Sequence, residues 1–180
     1  IENAGKRGLV RLDLNLQLVD GVVGDDTRIR RVLPGLEALC SAGARVIIMT
    51  HLGRPKGRHV SEMSVTPVAD RLASLIGRPV PVVSDITGQQ AVDAVAGMQD
   101  GDVLMVENLR FHAGEEANDV AFAASLAALG DVYVGDAFSC THRAHASVEA
   151  LPRMMPIVAA GRALGDELSA LHRALAAPER

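Results

Sequence analysis

Aromatic residues are scarce in this 180-residue sequence, making up 2% of it, with three Phe, one Tyr and no Trp. Proteins that hold single-stranded nucleic acid stack the bases on aromatic side chains. The formal net charge is −4, so the chain as a whole does not attract a phosphate backbone. These features argue against nucleic acid as a partner and predict a core of aliphatic side chains.

Cysteines and long hydrophobic runs are also few. Two cysteines, Cys40 and Cys140, are too few for a disulfide framework and favour a reducing compartment. Cys40 falls on the apolar side of a predicted helix, where we expect a small buried hydrophobe. No segment approaches the roughly 18 apolar residues of a membrane helix, and no secretory leader pattern opens the chain. We expect a cytoplasmic protein with no membrane partner.

The remaining composition is that of a globular domain, with 48% hydrophobic and 22% charged residues. We expect residues 1–180 to form one domain. The predicted strands are residues 8–16, 44–50, 80–83, 102–108 and 131–136, and the predicted helices are residues 26–42, 66–77, 87–98, 118–130 and 164–176. Strands that alternate with helices predict an α/β fold: a doubly wound, mostly parallel sheet with helices on both faces, in a Rossmann-like three-layer domain.

Several residues mark predicted helix boundaries or interruptions, among them Pro67 and Gly77 at the two ends of the second helix and Gly130 at the end of the fourth. Pro34 interrupts the first helical pattern and should kink that helix or shift its start. Thr87 with Gln90 suggests a capping box at the start of the third helix. Asn118 suggests the N-cap of the fourth helix.

Polar side chains gather where the predicted strands end, and in an open parallel sheet the ligand crevice lies beyond those ends. They are Asp13 and Asn15; then His51, Arg54 and Lys56; then Glu107, Asn108, Arg110 and His112; then Asp136, His142, Arg143 and His145. Guanidinium groups grip phosphate and carboxylate with paired donors. We therefore expect a crevice for a small anionic ligand, with Asp136 and Glu107 bracing the arginines.

Arg28 lies near the predicted start of the first helix, where a cation opposes the positive end of the helix dipole. Two interpretations remain open. Either Asp25 and Asp26 compensate a solvated Arg28, or Arg28 faces an anion in the crevice.

Cys140, His142 and His145 raise the alternative of a zinc-dependent hydrolase. Their spacing matches no closed structural zinc pattern, and a fourth ligand would have to come from elsewhere. Arg143, between the two imidazoles, would repel a cation. We expect no metal here, and structural hydrogen bonding remains an alternative role for both histidines.

Several segments, in order and spacing, resemble the N-terminal half of the phosphoglycerate kinase family. They are "VRLDLN", "DDTRIR", "LPGLEAL", "HLGRPKG", "ENLRFHAGEE", "GDAFSCTHRAHAS" and "AAGRALGDELSAL". The resemblance covers residues 6–180. It implies a Rossmann-like domain that binds 3-phosphoglycerate or 1,3-bisphosphoglycerate.

The resemblance also implies roles for single residues. Asp13 and Asn15 would contact the hydroxyl and carboxyl end of the glycerate, and Arg28 would be the catalytic arginine that reaches the transferring phosphoryl group. The substrate phosphate would be held by His51, Arg54, Arg110 and Arg143. His145 would support them.

The family transfers a phosphoryl group reversibly between 1,3-bisphosphoglycerate and ADP, with magnesium, in glycolysis. The resemblance implies that Mg-ATP and Mg-ADP bind a C-terminal domain of the same polypeptide that is absent from this chain. We therefore expect a monomer whose residues 1–180 carry no cofactor and are inactive alone. The alternative is a stand-alone module that binds phosphate or carboxylate without catalysis.

Two positions depart from the family pattern. Gly135 stands where the family usually has Asn, and Ser139 with Cys140 replaces the commoner "GT"-like pair. These changes put the bracing and mobility of this loop in doubt, but they leave the ligand-binding residues in place.

Overall fold

The computed structural model describes residues 4–176, so both ends of the predicted 1–180 domain lie outside the described residues. Its strands are β1 (Arg7–Leu12), β2 (Leu18–Val19), β3 (Val22–Val23), β4 (Arg45–Met49), β5 (Val82–Val83), β6 (Val103–Val106), β7 (Val132–Asp136) and β8 (Val158–Ala160). Its α-helices are α1 (Thr27–Ser41), α2 (Thr66–Ile76), α3 (Gln89–Ala96), α4 (Ala113–Glu116), α5 (Val120–Ala127), α6 (Leu151–Met154) and α7 (Arg162–Ala176). A π-helical turn, Ala146–Ala150, leads into α6.

Six strands form one sheet in the order β5-β6-β4-β1-β7-β8, and β2 and β3 form a separate small hairpin. Every pairing in the six-stranded sheet is parallel. The aliphatic runs of β1 and β4 are buried on both faces, as central parallel strands are.

Helices cover both faces of the sheet. Val10 and Leu12 of β1 pack on the side of α1 and α2, whereas Leu9 packs on the side of α3, α5 and α6. Cys40 is buried on α1, as expected. The predicted three-layer architecture with a largely aliphatic core is therefore confirmed. None of the helices in residues 4–176 is long and apolar enough to span a bilayer.

Helix starts differ from the prediction at two places because aspartates outcompete the expected caps. Asp85 accepts a hydrogen bond from Gly88 N at 2.7 Å at the start of α3, so the predicted Thr87 capping box is wrong. Asp119 caps α5 by accepting from Phe122 N at 2.7 Å.

Asn118 is not a helix cap but a link to the π-helical turn. Its backbone has φ +52°, and its side-chain oxygen accepts from Ala150 N at 3.3 Å. Pro34 lies inside α1 without ending it. The buried residues Ile29, Val32 and Leu36 hold that helix on the sheet.

The first strand is shorter than predicted, because the chain leaves the sheet after Leu12. There the Thr50 side chain takes the place of the backbone hydrogen bonds between strands. Its hydroxyl donates to Leu12 O and accepts from Leu14 N, both at 3.1 Å. This early exit frees Asp13 and Asn15 to line the edge of the sheet.

We expect two glycine substitutions to change stability in opposite directions. A Cβ at Gly130 would lie 2.4 Å from Leu9 Cγ, so Gly130→Ala should lower the free energy of unfolding by about 1–3 kcal/mol. A Cβ at Gly165 in α7 meets nothing within 4 Å, so Gly165→Ala should raise it by about 0.5–1 kcal/mol. Urea denaturation measures both. Equal stability of the two variants would contradict the packing of Leu9.

Candidate anion-binding site

The strands that carry the predicted polar groups are neighbours in the sheet, in the order β6-β4-β1-β7. Because all four are parallel, their carboxyl ends share one edge. The segments that follow Leu12, Met49, Val106 and Asp136 therefore lie side by side. We call this edge the strand-end crevice.

Asp13 ties together three parts of the crevice. Its carboxylate accepts hydrogen bonds from Arg28 Nη1 at the start of α1 and from the Ser139 hydroxyl after β7. Asn15 accepts from Gly53 N at 2.9 Å, joining the ends of β1 and β4. Arg28 remains 53% exposed, so its guanidinium is held by Asp13 but accessible.

The acidic residues before α1 do not compensate Arg28. Asp26 instead accepts from Arg30 Nε at 2.8 Å and from Arg71 Nε at 2.9 Å. Asp25 accepts from the backbone of Thr27. Of the two interpretations of Arg28, compensation by these aspartates is wrong, and its side chain is directed to the crevice.

His51 is a buried, neutral imidazole at the end of β4. Burial lowers its pKa to about 2, and the nearby charges of Arg11 and Arg110 act in the same direction. Its Nδ1 lies 3.0 Å from Arg11 Nη2. Because arginine only donates hydrogen bonds, Nδ1 must accept, and the ring proton sits on Nε2.

Arg110 is buried, and its hydrogen-bonding capacity is largely unused. Its Nη1 donates to Gly53 O at 2.8 Å, while its Nε and Nη2 have no hydrogen-bond partner among the described residues. The nearest carboxylate is Glu116, 3.7 Å from Nε. Burial lowers the pKa of Arg110. Since buried charged donors carry a large penalty when left unpaired, this geometry calls for an anion.

The remaining predicted residues contribute unequally. Arg143 is half-buried in the turn after β7, and its charge acts on both His51 and Arg110. Burial lowers the pKa of His145. The charge of Glu115 acts in the opposite direction and raises this pKa, whereas the charge of Arg110 lowers it further. Arg54 is exposed, and its guanidinium makes no hydrogen bond or ion pair with any described residue. The structure thus groups Arg143 and His145 electrostatically with the buried residues and leaves Arg54 exposed in the loop after β4.

Two expected braces do not touch the arginines. Asp136 caps the start of α7 by accepting from Leu164 N at 2.7 Å, and burial raises its pKa. Glu107 accepts from Ser64 Oγ and Val65 N, both at 2.8 Å, and so fixes the turn before α2. Both bracing predictions are wrong, because backbone N–H groups lie closer to these carboxylates than any guanidinium.

Asn108 does the bracing instead. Its side-chain amide donates to Leu52 O at 2.7 Å and to Met63 O at 2.9 Å, and its oxygen accepts from Arg110 N at 3.1 Å. His112 is not part of the crevice, since it caps α4 and stacks on Phe122.

Arg11 is the crevice residue that the sequence analysis missed. It is 1% exposed and lies beneath His51 on β1. A signal was present, since a charged residue stood inside an aliphatic strand pattern where only an enclosed partner network would tolerate it.

The trio Cys140, His142 and His145, which the zinc alternative requires, is not assembled. Among the described residues, Cys140 Sγ, a carboxylate oxygen of Asp13 and a ring nitrogen of His51 lie within 4.8 Å of one another. Neither His142 nor His145 belongs to this group. Arg11 Nη2 lies 3.0 Å from His51 Nδ1 and 4.0 Å from Cys140 Sγ. A cation at this position would meet a guanidinium, so the chemistry of the cluster favours an anion.

Fold and site together define a Rossmann-like α/β domain with an arginine-rich crevice at its strand ends. The family model described as phosphoglycerate kinase matches residues 1–180. The chain belongs to the phosphoglycerate kinase family, as its sequence motifs indicated.

Four similar phosphoglycerate kinases are longer than this chain. It is 53% identical to a phosphoglycerate kinase of Chloroherpeton thalassium and 51% identical to one of Agrobacterium fabrum, over 98% of this chain and 45% and 44% of those proteins. It superimposes on phosphoglycerate kinases of Coxiella burnetii (TM-score 0.89, 34% identity) and Pyrococcus horikoshii (TM-score 0.90, 31% identity), covering all of this chain and 45% of each. The chain thus spans slightly less than half the length of these relatives.

We expect Arg110→Met to stabilise the ligand-free protein. Replacing a poorly paired buried charge by an apolar side chain of similar size should raise the free energy of unfolding by roughly 1–3 kcal/mol, as measured in urea. The control is Arg78→Met, because Arg78 also donates one bond at 2.8 Å to a backbone carbonyl but is exposed. It should be neutral or slightly destabilising. Destabilisation by Arg110→Met would show that Arg110 is well compensated.

We expect His51 to make stability fall with acidification. Its folded pKa of about 2 lies below the ordinary value of 6.5, so between these values the unfolded chain binds more protons. The contribution of His51 to the free energy of unfolding should be fully present above about pH 6.5. Below that pH, the free energy of unfolding should fall by up to about 1.4 kcal/mol per pH unit. Urea unfolding from pH 7 to pH 5 measures this slope. His51→Gln should remove most of it, leaving the smaller contribution of His145, and an unchanged slope would contradict the assignment.

Proposed function

We propose that this chain is the substrate-binding domain of a phosphoglycerate kinase that acts in cytoplasmic glycolysis. The whole protein would transfer a phosphoryl group reversibly between 1,3-bisphosphoglycerate and ADP, giving 3-phosphoglycerate and ATP. The observation that carries the proposal is the buried Arg110, whose unpartnered N–H groups lie where four parallel strands end. A small, doubly charged acid supplies the oxygens that this guanidinium lacks.

The substrate phosphate would be bound by Arg110 and Arg143, with Nε2–H of the neutral His51 as a further donor. The exposed Arg54 would turn toward the phosphate from its loop. His145 would support the group from the turn after β7. Two-pronged guanidinium contacts give this binding both energy and orientation.

The glycerate end would contact Asp13 and Asn15. Asp13 now accepts from Arg28 and Ser139, so a glycerate hydroxyl that donates to Asp13 would compete with Arg28 for the same oxygen. Arg28 would then be available as the catalytic residue. Its positive charge would stabilise the oxygens of the transferring phosphoryl group, since such transfer depends on positioning and electrostatics.

Nucleotide and magnesium would bind outside this chain. Mg²⁺ requires several oxygen ligands, whereas the crevice is dominated by guanidinium groups, and its carboxylate Asp13 already accepts from Arg28 and Ser139, so the crevice residues do not fit the metal. Magnesium would neutralise nucleotide phosphate charge in a C-terminal domain of the same polypeptide. The coverage of 45% of the relatives supports this arrangement. Residues 1–180 would form one substrate-binding domain of a monomeric enzyme, without a cofactor of their own.

The proposal is tested by Arg28→Ala in the full-length protein. Because Arg28 would act on the transferring phosphoryl group, kcat should fall about a hundredfold or more, with a much smaller change in the Kd of 3-phosphoglycerate. Arg30→Ala is the matched control, since Arg30 is also exposed on α1 but pairs with Asp26. Steady-state kinetics and calorimetry measure both quantities.

The same measurements separate the alternatives. The 180-residue chain alone should release heat with 3-phosphoglycerate and show no turnover with ATP. A full-length protein that binds the acid without turnover would instead be an anion-binding module. A loss of affinity that exceeds the loss of kcat would reduce Arg28 to a substrate-holding residue.

A further inference from the structure

Arg11 is a buried cation that contacts no carboxylate. Its Nε donates to Ser147 Oγ at 2.9 Å, and its Nη1 donates to Leu12 O. Its Nη2 lies 3.0 Å from His51 Nδ1. No ion pair in the described part of the chain includes Arg11. Because an uncompensated buried charge is strongly unfavourable, a counter-charge must act on it from further away.

Glu115 supplies that charge from the other side of Ser147. Glu115 lies on α4 and is fully buried, as is Ser147 in the π-helical turn. Its Oε2 accepts from Ser147 N at 2.9 Å, and its Oε1 accepts from Ser147 Oγ at 2.6 Å. A single hydroxyl therefore stands between a buried carboxylate and a buried guanidinium.

The direction of every hydrogen bond in this chain of groups is determined by chemistry. A carboxylate only accepts and a guanidinium only donates, whereas a hydroxyl does both. The proton of Ser147 must therefore point to Glu115, and its lone pair must receive Arg11 Nε–H. Arg11 in turn donates to Nδ1 of His51, which leaves the imidazole proton on Nε2.

We propose that Ser147 and Glu115 are positioning residues of the strand-end crevice. The relay Glu115–Ser147–Arg11–His51 orients the Arg11 guanidinium and sets the tautomer of His51 before the ligand arrives. Low-dielectric surroundings strengthen each of these bonds and make a missing member costly. The relay presents His51 Nε2–H as a hydrogen-bond donor to the ligand. The identity of that ligand, 3-phosphoglycerate, rests on the proposed function.

Two variants break the relay at different atoms. Ser147→Ala removes the hydroxyl that joins the two charges. Glu115→Gln is nearly isosteric, but its amide would donate to Ser147 Oγ and reverse the direction of that bond. The control is Tyr133→Phe: Tyr133 donates to Ser147 O at 2.9 Å in the same buried cluster, outside the relay.

The first readout is the imidazole nitrogen spectrum of His51 in the ligand-free chain. A long-range proton–nitrogen spectrum separates a protonated from an accepting ring nitrogen, and His51→Gln assigns the signal among the six histidines. We expect a single Nε2–H tautomer in the wild type and in Tyr133→Phe. Ser147→Ala and Glu115→Gln should show mixed tautomers, with backbone spectra confirming that both remain folded.

The second readout is the Kd of 3-phosphoglycerate by calorimetry. Both relay variants should weaken binding about tenfold or more, since hydrogen bonds to charged groups are affected, and Tyr133→Phe should change it less than about threefold. Unchanged His51 signals and unchanged Kd in both relay variants would overturn the proposal and leave Ser147 and Glu115 as structural residues. Absence of wild-type binding would overturn the proposed function instead, while the tautomer spectrum still decides whether the relay exists.

Discussion

Positive charges in and around the crevice have little negative charge to balance them, and the architecture follows from this constraint. Arg11 and Arg110 are buried, and Arg143 acts on Arg110 and His51 through space. In water these groups would separate. Here the parallel strands hold them at fixed positions, so the ligand-free protein keeps unused N–H donors and repelling charges. An anion would relieve both penalties at once, and this is the physical reason for proposing that the crevice binds one.

Side chains that bind the backbone hold Arg110 in place. Asn108 binds the backbone of two loops and the backbone N–H of Arg110. Glu107 fixes the turn before α2 through Ser64 and Val65. Because these side chains act on the backbone, they orient Arg110 without cancelling its charge. The carboxylate of Glu116, 3.7 Å from Arg110 Nε, makes no hydrogen bond to it.

The departures from the family pattern have local explanations. A Cβ at Gly135 would lie 3.3 Å from the ring of Tyr133, whose hydroxyl holds the backbone of Ser147. Ser139 donates to Asp13, a bond that a glycine side chain could not make. Cys140 occupies the buried space beside Arg11. The changed loop therefore keeps its connection to the crevice through other atoms.

The alternation of strands and helices, the aliphatic core and the polar strand ends were all predictable from the amino-acid sequence, because periodicity and composition are local properties. It also indicated the family. Which charges meet depends on the folded arrangement and was not predictable in the same way. Asp136 and Glu107 bind backbone N–H groups instead of arginines, and Arg11 is compensated through Ser147 from Glu115, more than a hundred residues away along the chain. Such partners depend on strand order and register, which bring together residues whose distance apart no local pattern encodes.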